Sequence, residues 1–303
     1  VSPGVFYAII RSRAFNSDGQ PLGSEQLLST VATNLQTEAH AEVAALTGGG
    51  YVVVWESWNS ANQADTSYSI QGRMVGANGV PIGSQFQVNS LMTGLLEQYP
   101  SATGLADGGF LATWSAPQIQ GRRFMSDGTP VGNDFQVNSI VGVSGRDQPN
   151  VARNDDGLVL VVWRDYEDGN GPEIRGRLYN PTLTPMGPDF RINTYVTDTQ
   201  SLPQVAGYGR GGFFVIWQSF GSSGLDPDPT SIEGRIVTGV DAFTAPQFLV
   251  NQYTANSQEG PGIGGAGGYV AMAWMSRQNE FVQGQVILGQ FWNICGIFCN
   301  GFE

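Results

Sequence analysis

Several carboxylates of this 303-residue chain stand in the segments that follow its tryptophans. Two carboxylates facing one bond are the usual equipment for hydrolysing a glycoside, so these residues are the first candidates for chemistry. They are Glu56, Asp165, Glu167, Asp168 and Glu173. Each is present in only some of the corresponding segments, and loop carboxylates commonly do no more than solvate a surface. A glycosidase built on a β-propeller, the fold that the repeats predict below, therefore ranks third among the possible functions, after a scaffold and a carbohydrate-binding protein.

Other catalytic chemistry has little support in the sequence. His40 is the only histidine, no G-x-S-x-G motif accompanies it, and the chain contains no lysine for Schiff-base or P-loop chemistry. His40 occupies a slot in which related segments carry Tyr99, Gln148, Leu202 and Gly260, which favours a structural or solvated role. We expect that the protein is not an enzyme.

Acidic loops could hold calcium, which takes several oxygen ligands. The candidate ligands are Asp165, Asp168, Asp226 and Asp228, in the segments DYEDGNG and LDPDPT. Neither segment has the spacing of an EF-hand or of a glycine-rich nonapeptide repeat, and acidic loops are expected in a chain of net charge −12. We expect no cofactor, with calcium as the alternative.

Aromatic residues three positions after the tryptophans make carbohydrate binding an alternative function. Sugars stack on aromatic rings, and the same segments carry side chains that can bond to hydroxyl groups. The candidate ligand-binding residues are Trp58, Arg164, Asp165, Tyr166, Gln218 and Phe220.

Charge and cysteine content limit the partners and the compartment. An acidic surface repels phosphate backbones and anionic lipids, so we expect no nucleic-acid partner, and no apolar run is long enough to span a membrane. Cys295 and Cys299 stand four positions apart, and a small disulfide loop is favoured over metal binding because few other ligands are present. A disulfide predicts an exported, extracellular protein.

An internal repeat sets the elements that must position these residues. One module runs from a small or proline-led segment through a glycine turn to an apolar stretch that ends in tryptophan. Its copies end at Trp55, Trp114, Trp163, Trp217 and Trp274, which lie 49 to 59 residues apart. We expect these five tryptophans to lie in the core, because each closes an apolar run.

A second module has the pattern I-x-G-R, a turn, P-x-G and F-x-V-N, as in "IQGRRFMSDGTPVGNDFQVNS". Its copies begin at Ile10, Ile70, Ile119, Ile174 and Ile232, and "VQGQVI" (Val282 to Ile287) is a degenerate sixth. We call this module the I-x-G-R phrase. Each module reads as two short strands around a turn, because runs of β-formers are bounded by Gly, Asp, Asn and Pro.

Two such hairpins predict a four-stranded antiparallel sheet, and the period fits one blade of a β-propeller. We expect five blades in a single domain, residues 1–287, followed by a tail, residues 288–303. The first phrase has no tryptophan hairpin before it, so Ile10 to Ser29 is expected to close the ring beside Trp274. Six blades are the alternative, and an array of β-sandwiches comes third.

Arginine fills the fourth position of the phrase in five copies. These residues are Arg13, Arg73, Arg122, Arg177 and Arg235. Because guanidinium groups fork onto carbonyls and stack on aromatic rings, we expect a repeated contact of Arg with Trp or with a backbone carbonyl. Reversing the charge at Arg122 is expected to lower the melting temperature far more than reversing it at Arg146.

The combined pattern, GG-[FY]-x-V-x-W with the I-x-G-R phrase, resembles a repeat of exported bacterial proteins, including large adhesin-like surface proteins. The ending "CGIFCNGFE" is similar to the short Cys-containing tail of some secreted gammaproteobacterial proteins. Both resemblances imply export, and neither carries a catalytic residue that matches a position here. The favoured function is a non-catalytic extracellular scaffold that binds a partner or associates with itself through strand edges or the tail. A lectin-like propeller is the first alternative.

Overall fold

The chain folds entirely with β-strands. The computed structural model describes residues 8–30, 37–58, 68–90, 96–139, 145–166, 171–221, 229–266, 269–277 and 285–293. Across these ranges the structure has no helix, and therefore none that could cross a membrane. The chain forms two compact units, Val1–Val137 and Asn138–Glu303, which we call the N-terminal and C-terminal units.

The N-terminal unit contains a short hairpin and two complete blades. Its strands are β1 (Arg11–Ser12), β2 (Gln26–Leu27), β3 (Thr37–Ala45), β4 (Tyr51–Trp58), β5 (Tyr68–Val75), β6 (Pro81–Gln87), β7 (Gln98–Gly104), β8 (Phe110–Ser115), β9 (Ile119–Phe124) and β10 (Pro130–Gln136). Strands β1 and β2 pair with each other, β3 to β6 form blade 1, and β7 to β10 form blade 2. Every pairing is antiparallel and links strands that follow each other in the chain.

The C-terminal unit contains three blades. Its strands are β11 (Arg146–Arg153), β12 (Val159–Asp165), β13 (Glu173–Tyr179), β14 (Phe190–Arg191), β15 (Gln200–Tyr208), β16 (Gly212–Phe220), β17 (Thr230–Gly239), β18 (Ala242–Phe243), β19 (Phe248–Leu249), β20 (Gln258–Ala266), β21 (Tyr269–Arg277) and β22 (Gln285–Asn293). Blade 3 comprises β11 to β14. Blade 4 comprises β15 to β19, with β18 and β19 both paired to β17, and blade 5 comprises β20 to β22.

The fold is a five-bladed β-propeller, which confirms the predicted class. The first two strands of each blade are the tryptophan hairpin, and the strands that follow are the I-x-G-R phrase. All five tryptophans that close the apolar runs are buried, none more than 4% exposed. Within each unit, the apolar core lies between successive blades. In the N-terminal unit, for example, Val52 and Val54 of blade 1 cluster with Phe110 and Trp114 of blade 2.

In blade 5, the strand that pairs with the tryptophan hairpin is not the one expected from the sequence. Strand β22 pairs with β21 over its whole length, with Trp274 opposite Leu288 and Ala273 opposite Gly289, whereas β1 pairs with β2. In blade 1, Trp55 is opposite Gln71 and Val54 is opposite Gly72. The last phrase is therefore "ILGQFW", residues 287–292, and not "VQGQVI", so the boundary drawn at residue 287 falls inside a strand.

The N-terminal hairpin packs against blade 1. Ile10 and Leu28 cluster with Val53, Trp55 and Val75. The strand beside that of Trp274 is thus supplied by the C-terminal segment, in place of the expected segment Ile10 to Ser29. The last phrase carries Gln290 where the other copies carry arginine, so a count of arginines makes it look incomplete. Its backbone pairs with β21 without the arginine.

Each letter of the I-x-G-R phrase has a structural use, shown here in blade 1. A Cβ on Gly72 would lie 3.0 Å from the ring of Phe86, so the glycine makes room for the aromatic residue of F-x-V-N. The Asn89 side chain accepts a hydrogen bond from the Ile70 N–H at 2.9 Å and closes the base of the hairpin. The phrase therefore repeats because one hairpin geometry repeats.

The arginine of the phrase contacts carbonyl groups in a repeated manner, as predicted. Arg122 donates from Nε to the Gly132 carbonyl at 3.2 Å and from Nη1 to the Val88 carbonyl of the preceding blade at 3.1 Å. The other four donate to the carbonyl ten residues ahead, from Arg13 to Gly23, Arg73 to Gly83, Arg177 to Gly187 and Arg235 to Ala245. The arginine therefore holds its own hairpin, and Arg122 also joins two blades.

Arg146 proves unsuitable as the neutral reference for Arg122. Its side chain is 1% exposed and forms an ion pair with Asp165, with Nε and Oδ2 2.7 Å apart. The expected contrast between charge reversal at Arg122 and at Arg146 therefore fails, because an acidic side chain at position 146 would lie buried beside Asp165. Arg11, whose side chain is 47% exposed, is the better reference.

Candidate functional site

The first strand of every blade contains a β-bulge, seen as a shift in the register with the second strand. One residue at each bulge has a left-handed backbone conformation. These residues are His40, Tyr99, Gln148, Leu202 and Gly260, with φ between 48° and 60°. They are the variable slot found in the repeat, which we now call the αL slot. Bulges of this kind re-aim a side chain locally and are frequent beside active sites.

In the N-terminal unit, Glu56 lies beside two of these bulges, those of β3 and β7. It follows Trp55 on β4, and its side chain points toward blade 2, with 4% of its surface exposed. His40 Nδ1 lies 3.0 Å from Oε2, the Tyr99 N–H donates to the same oxygen at 3.3 Å, and the Gln98 amide donates to Oε1 at 3.4 Å. A buried carboxylate is thus held by one ionisable ring and two neutral donors.

The ring of His40, which contacts this carboxylate, also lies against the ring of Tyr99. Their centroids are 4.7 Å apart with the planes inclined by 46°. The His40 side chain is 49% exposed, whereas Glu56 is almost fully covered. The half-exposed His40 therefore contacts both the buried acid and the ring of Tyr99.

Two more buried acids flank this arrangement. Glu97 directly precedes Gln98 and is 2% exposed, and Glu38 accepts a hydrogen bond from the Ser57 hydroxyl at 3.1 Å. Neither acid lies in a segment that follows a tryptophan, so the pattern that singles out Glu56 does not reveal them. A usable signal was present, since both stand two residues before an αL slot, where the other copies carry Arg146, Gln200 and Gln258.

The corresponding part of blade 3 uses its acids differently. Asp165 pairs with Arg146 and also accepts a hydrogen bond from Trp163 Nε1 at 3.0 Å. Arg164 binds Asp147 through two hydrogen bonds of 2.7 and 2.5 Å and lies 5.1 Å from the ring centroid of Tyr166. The structure therefore brings the candidates Arg164 and Tyr166 together, whereas Asp165 is buried and paired with Arg146.

The remaining candidates are distributed over other blades. Trp58 ends β4 and is partly buried, and Phe220 ends β16 with 40% of its surface exposed. Gln218 accepts a hydrogen bond from the N–H of Gly260 at 3.1 Å, so its amide has a structural use. The candidates Glu167, Asp168, Asp226 and Asp228 and the cysteines Cys295 and Cys299 lie outside the described residues.

The described part of the chain does not assemble a metal centre. Among its residues, no group of three or more His, Cys, Asp or Glu side chains could hold an ion. Asp165, the calcium candidate that is described, is neutralised by Arg146. The chemistry available at Glu56 is therefore that of carboxylates, an imidazole and amides.

Comparison with known proteins yields structural relatives only. No protein-family model and no curated protein matches the sequence. The α-L-arabinanase of Penicillium chrysogenum, solved with arabinobiose, matches with a TM-score of 0.56 and 15% identity over 78% of this chain and 77% of that chain. The GH93 α-L-arabinofuranosidase of Fusarium graminearum, also solved with arabinobiose, gives 0.58 and 10% over 78% and 76%. At these identities the likeness shows a shared fold.

These relatives overturn the favoured interpretation of the sequence. A non-catalytic scaffold, and with it the expectation that the protein is not an enzyme, is contradicted because the matching structures are glycoside hydrolases. Residues present in every copy build the hairpins and therefore favour a scaffold interpretation. Glu56 differs in this respect, because its position carries other residues in other blades.

Proposed function

We propose that the protein is a glycoside hydrolase in which Glu56 is one of the two acting carboxylates. The observation that carries the proposal is the position of Glu56, which is buried beside two bulges and bonded to the half-exposed His40 and to the Tyr99 N–H. The shared fold with arabinan-degrading enzymes supports the same class of reaction. Arabinose-containing oligosaccharides are therefore the first substrates to test.

Blade 4 supports a role for the charge of Glu56 beyond folding. Gln218 occupies the same place after Trp217 and accepts a hydrogen bond from the αL slot of the next blade, as Glu56 does from Tyr99. An amide therefore suffices for the backbone contact. Burying a carboxylate costs far more than burying an amide, so the fold alone gives no reason for glutamate at this position.

Glycoside hydrolysis assigns different work to its two carboxylates, one protonating the leaving group and the other activating water or attacking the sugar. Glu56 receives hydrogen bonds from Tyr99 N–H and the Gln98 amide, which suits the carboxylate that acts as base or nucleophile. Glu97, buried next to Gln98, is the proposed partner acid. Replacing Glu56 or Glu97 is expected to stop turnover while blades 1 and 2 stay folded.

The decisive experiment measures reducing-sugar release from arabinan, arabino-oligosaccharides and a panel of other glycans by the full chain. Glu56→Gln keeps the acceptor seen in blade 4, so the melting temperature should stay within a few degrees while kcat falls roughly 100- to 10,000-fold. Glu259→Gln is the matched control, because Glu259 pairs with Arg277 on a partly exposed surface. Release of no sugar by the wild type, or full activity of the Glu56 variant, would overturn the proposal.

Sugar contact outside the catalytic position is proposed for Arg164 and Tyr166. Tyr166 is 40% exposed, and Asp147 fixes the guanidinium beside its ring. Tyr166→Ala should weaken glycan binding several-fold in calorimetry while leaving the melting temperature nearly unchanged. Equal affinity of the two proteins would show that the pair serves only the surface of blade 3.

Export is proposed on the basis of the two cysteines and the likeness of the tail to secreted proteins. An oxidised Cys295–Cys299 loop is the chemical signature to look for. Titration of thiols in the denatured protein should find none before reduction and two after it. Two free thiols in freshly isolated protein would contradict this proposal.

A further inference from the structure

The αL slot carries backbone strain that the fold does not require. All five slot residues have φ between 48° and 60°, a region that L-residues adopt at a cost and glycine adopts freely. Glycine stands there in one copy, Gly260, which shows that the bulge forms without a side chain. The other four copies therefore keep a strained residue for what its side chain does.

Gln148 has a structural use that accounts for its presence. Its side-chain oxygen accepts a hydrogen bond from the Leu202 N–H at 2.8 Å, which links two neighbouring first strands in the C-terminal unit. Tyr99 differs, because its hydrogen bond to Glu56 is made by the backbone N–H and not by the ring. The ring lies against that of His40, which itself contacts Glu56.

We propose that Tyr99 and His40 form an aromatic platform that holds a sugar ring beside Glu56, and that the strained backbone at Tyr99 is retained to aim this ring. Aromatic faces bind the apolar face of a sugar, and the imidazole adds a polar edge for a hydroxyl group. The inference rests on the proposed function, since it places the substrate at the same carboxylate. Strain at functional positions persists where the surrounding structure enforces it, here through the bulge of β7.

The test separates the platform from a packing role by comparing three variants. Tyr99→Gly removes the ring and relieves the backbone, Tyr99→Phe keeps the ring, and Leu183→Gly relieves a φ of 60° in a turn outside the slot. Affinity for arabino-oligosaccharides is measured by calorimetry in the Glu56→Gln background, so that it does not depend on hydrolysis. Melting temperatures are measured in parallel.

The platform predicts that Tyr99→Gly weakens sugar binding at least tenfold while its melting temperature stays level or rises. Tyr99→Phe and Leu183→Gly should bind as the parent does. Relief of the backbone does not lower the melting temperature, so a fall of more than about 5 °C for Tyr99→Gly would come from lost packing of the ring. That result would overturn the proposal.

The failure of the platform can be distinguished from the failure of the proposed function. Undiminished binding by Tyr99→Gly overturns the platform even if the wild type hydrolyses its substrate. A wild type that binds the oligosaccharide through Tyr99 but releases no sugar overturns the hydrolase and supports the platform. Absence of binding by the parent overturns the platform whatever the hydrolysis assay gives.

Discussion

Glu56 in blade 1 and Arg164 in blade 3 occupy the same place, directly after a buried tryptophan, yet their charged surroundings are opposite. Glu56 is held by His40 and by neutral donors. Around Arg164, the acids Asp147 and Asp165 each bind an arginine. Among the described residues, the same hairpin backbone thus presents a carboxylate bonded to a histidine and neutral donors at Glu56 and arginine–carboxylate ion pairs in blade 3.

This difference teaches how a repeated scaffold separates structure from chemistry. A carboxylate bound by arginine at short distance is committed to that pair and gains little by meeting a substrate. A carboxylate held by neutral donors and a half-exposed histidine is not committed to an arginine in this way. The two blades should therefore respond differently to the loss of a charged partner.

The largest expected effect is on stability, in blade 3. Arg146→Ala leaves Asp165 buried without its cation, and we expect a loss of about 3–5 kcal/mol in the free energy of unfolding. His40→Ala removes the ionisable partner of Glu56 but should cost less than about 1 kcal/mol, because His40 is half-exposed. Urea denaturation of the two variants measures both values, and comparable losses would remove the distinction between the blades.

The second prediction compares two arginines of the N-terminal unit by the effect of their loss on stability. Arg122→Ala removes donors to the Gly132 and Val88 carbonyls, so we expect a loss of about 1–3 kcal/mol. Arg11→Ala at an exposed ion pair should change stability by less than about 1 kcal/mol. Calorimetric unfolding of both variants tests this, and equal melting temperatures would leave the repeated arginine without a structural role.

A third comparison exchanges the residues after two tryptophans. Gln218→Glu places a carboxylate in blade 4 without a histidine beside it, and we expect a loss of about 1–2 kcal/mol at neutral pH. The reciprocal Glu56→Gln should stay within about 0.5 kcal/mol of the wild type. A large loss for Glu56→Gln would show that the charge of Glu56 serves folding, and would weaken its proposed catalytic role.

The smallest effect concerns blade 3 in alkaline solution. Burial raises the pKa of the Tyr179 phenol from 10.0 to about 12, with Asp189 adding to the shift and Arg177 opposing it. A raised pKa means that the folded state favours the neutral phenol, so its contribution to stability is complete below pH 10 and is lost as the pH rises toward 12. By pH 11 the loss is about 1 kcal/mol, which Tyr179→Phe should abolish.

The absence of lysine makes this alkaline range easy to interpret, because no ammonium group titrates there. Chemical denaturation at several pH values between 9 and 11 provides the measurement. An identical alkaline slope for the wild type and Tyr179→Phe would contradict the burial of a neutral phenol.

The sequence allowed the blades to be found because each repeated residue has a local use. The glycine and asparagine of the phrase act within one hairpin, so their spacing in the chain is their spacing in the structure. The phrase in blade 5 was misplaced because "VQGQVI" and "ILGQFW" both fit the letters, and only the pairing of Trp274 with Leu288 decides between them. Register is a property of two strands, and one strand does not contain it.

The candidate site was only partly accessible in the same way. Glu56, Arg164 and Tyr166 could be singled out because they follow a tryptophan. Glu97 could not, because its relation to Glu56 passes between two blades and spans 41 residues of chain. The strain at Tyr99 was equally invisible, since the letters at the αL slot differ in every copy and share only a backbone conformation.

By itself, the sequence determined the all-β class, the repeated hairpins and the buried tryptophans, all of which arise within short stretches of chain. It predicted a repeated contact of the phrase arginine with Trp or with a carbonyl, and the structure selects the carbonyl. Tertiary structure decided which acids are neutralised and which are held by weaker partners. It brought His40, Glu56 and Tyr99 together from three different strands. The physical reason is that charge pairing and burial depend on distances between strands, whereas hairpin formation depends on neighbours along the chain.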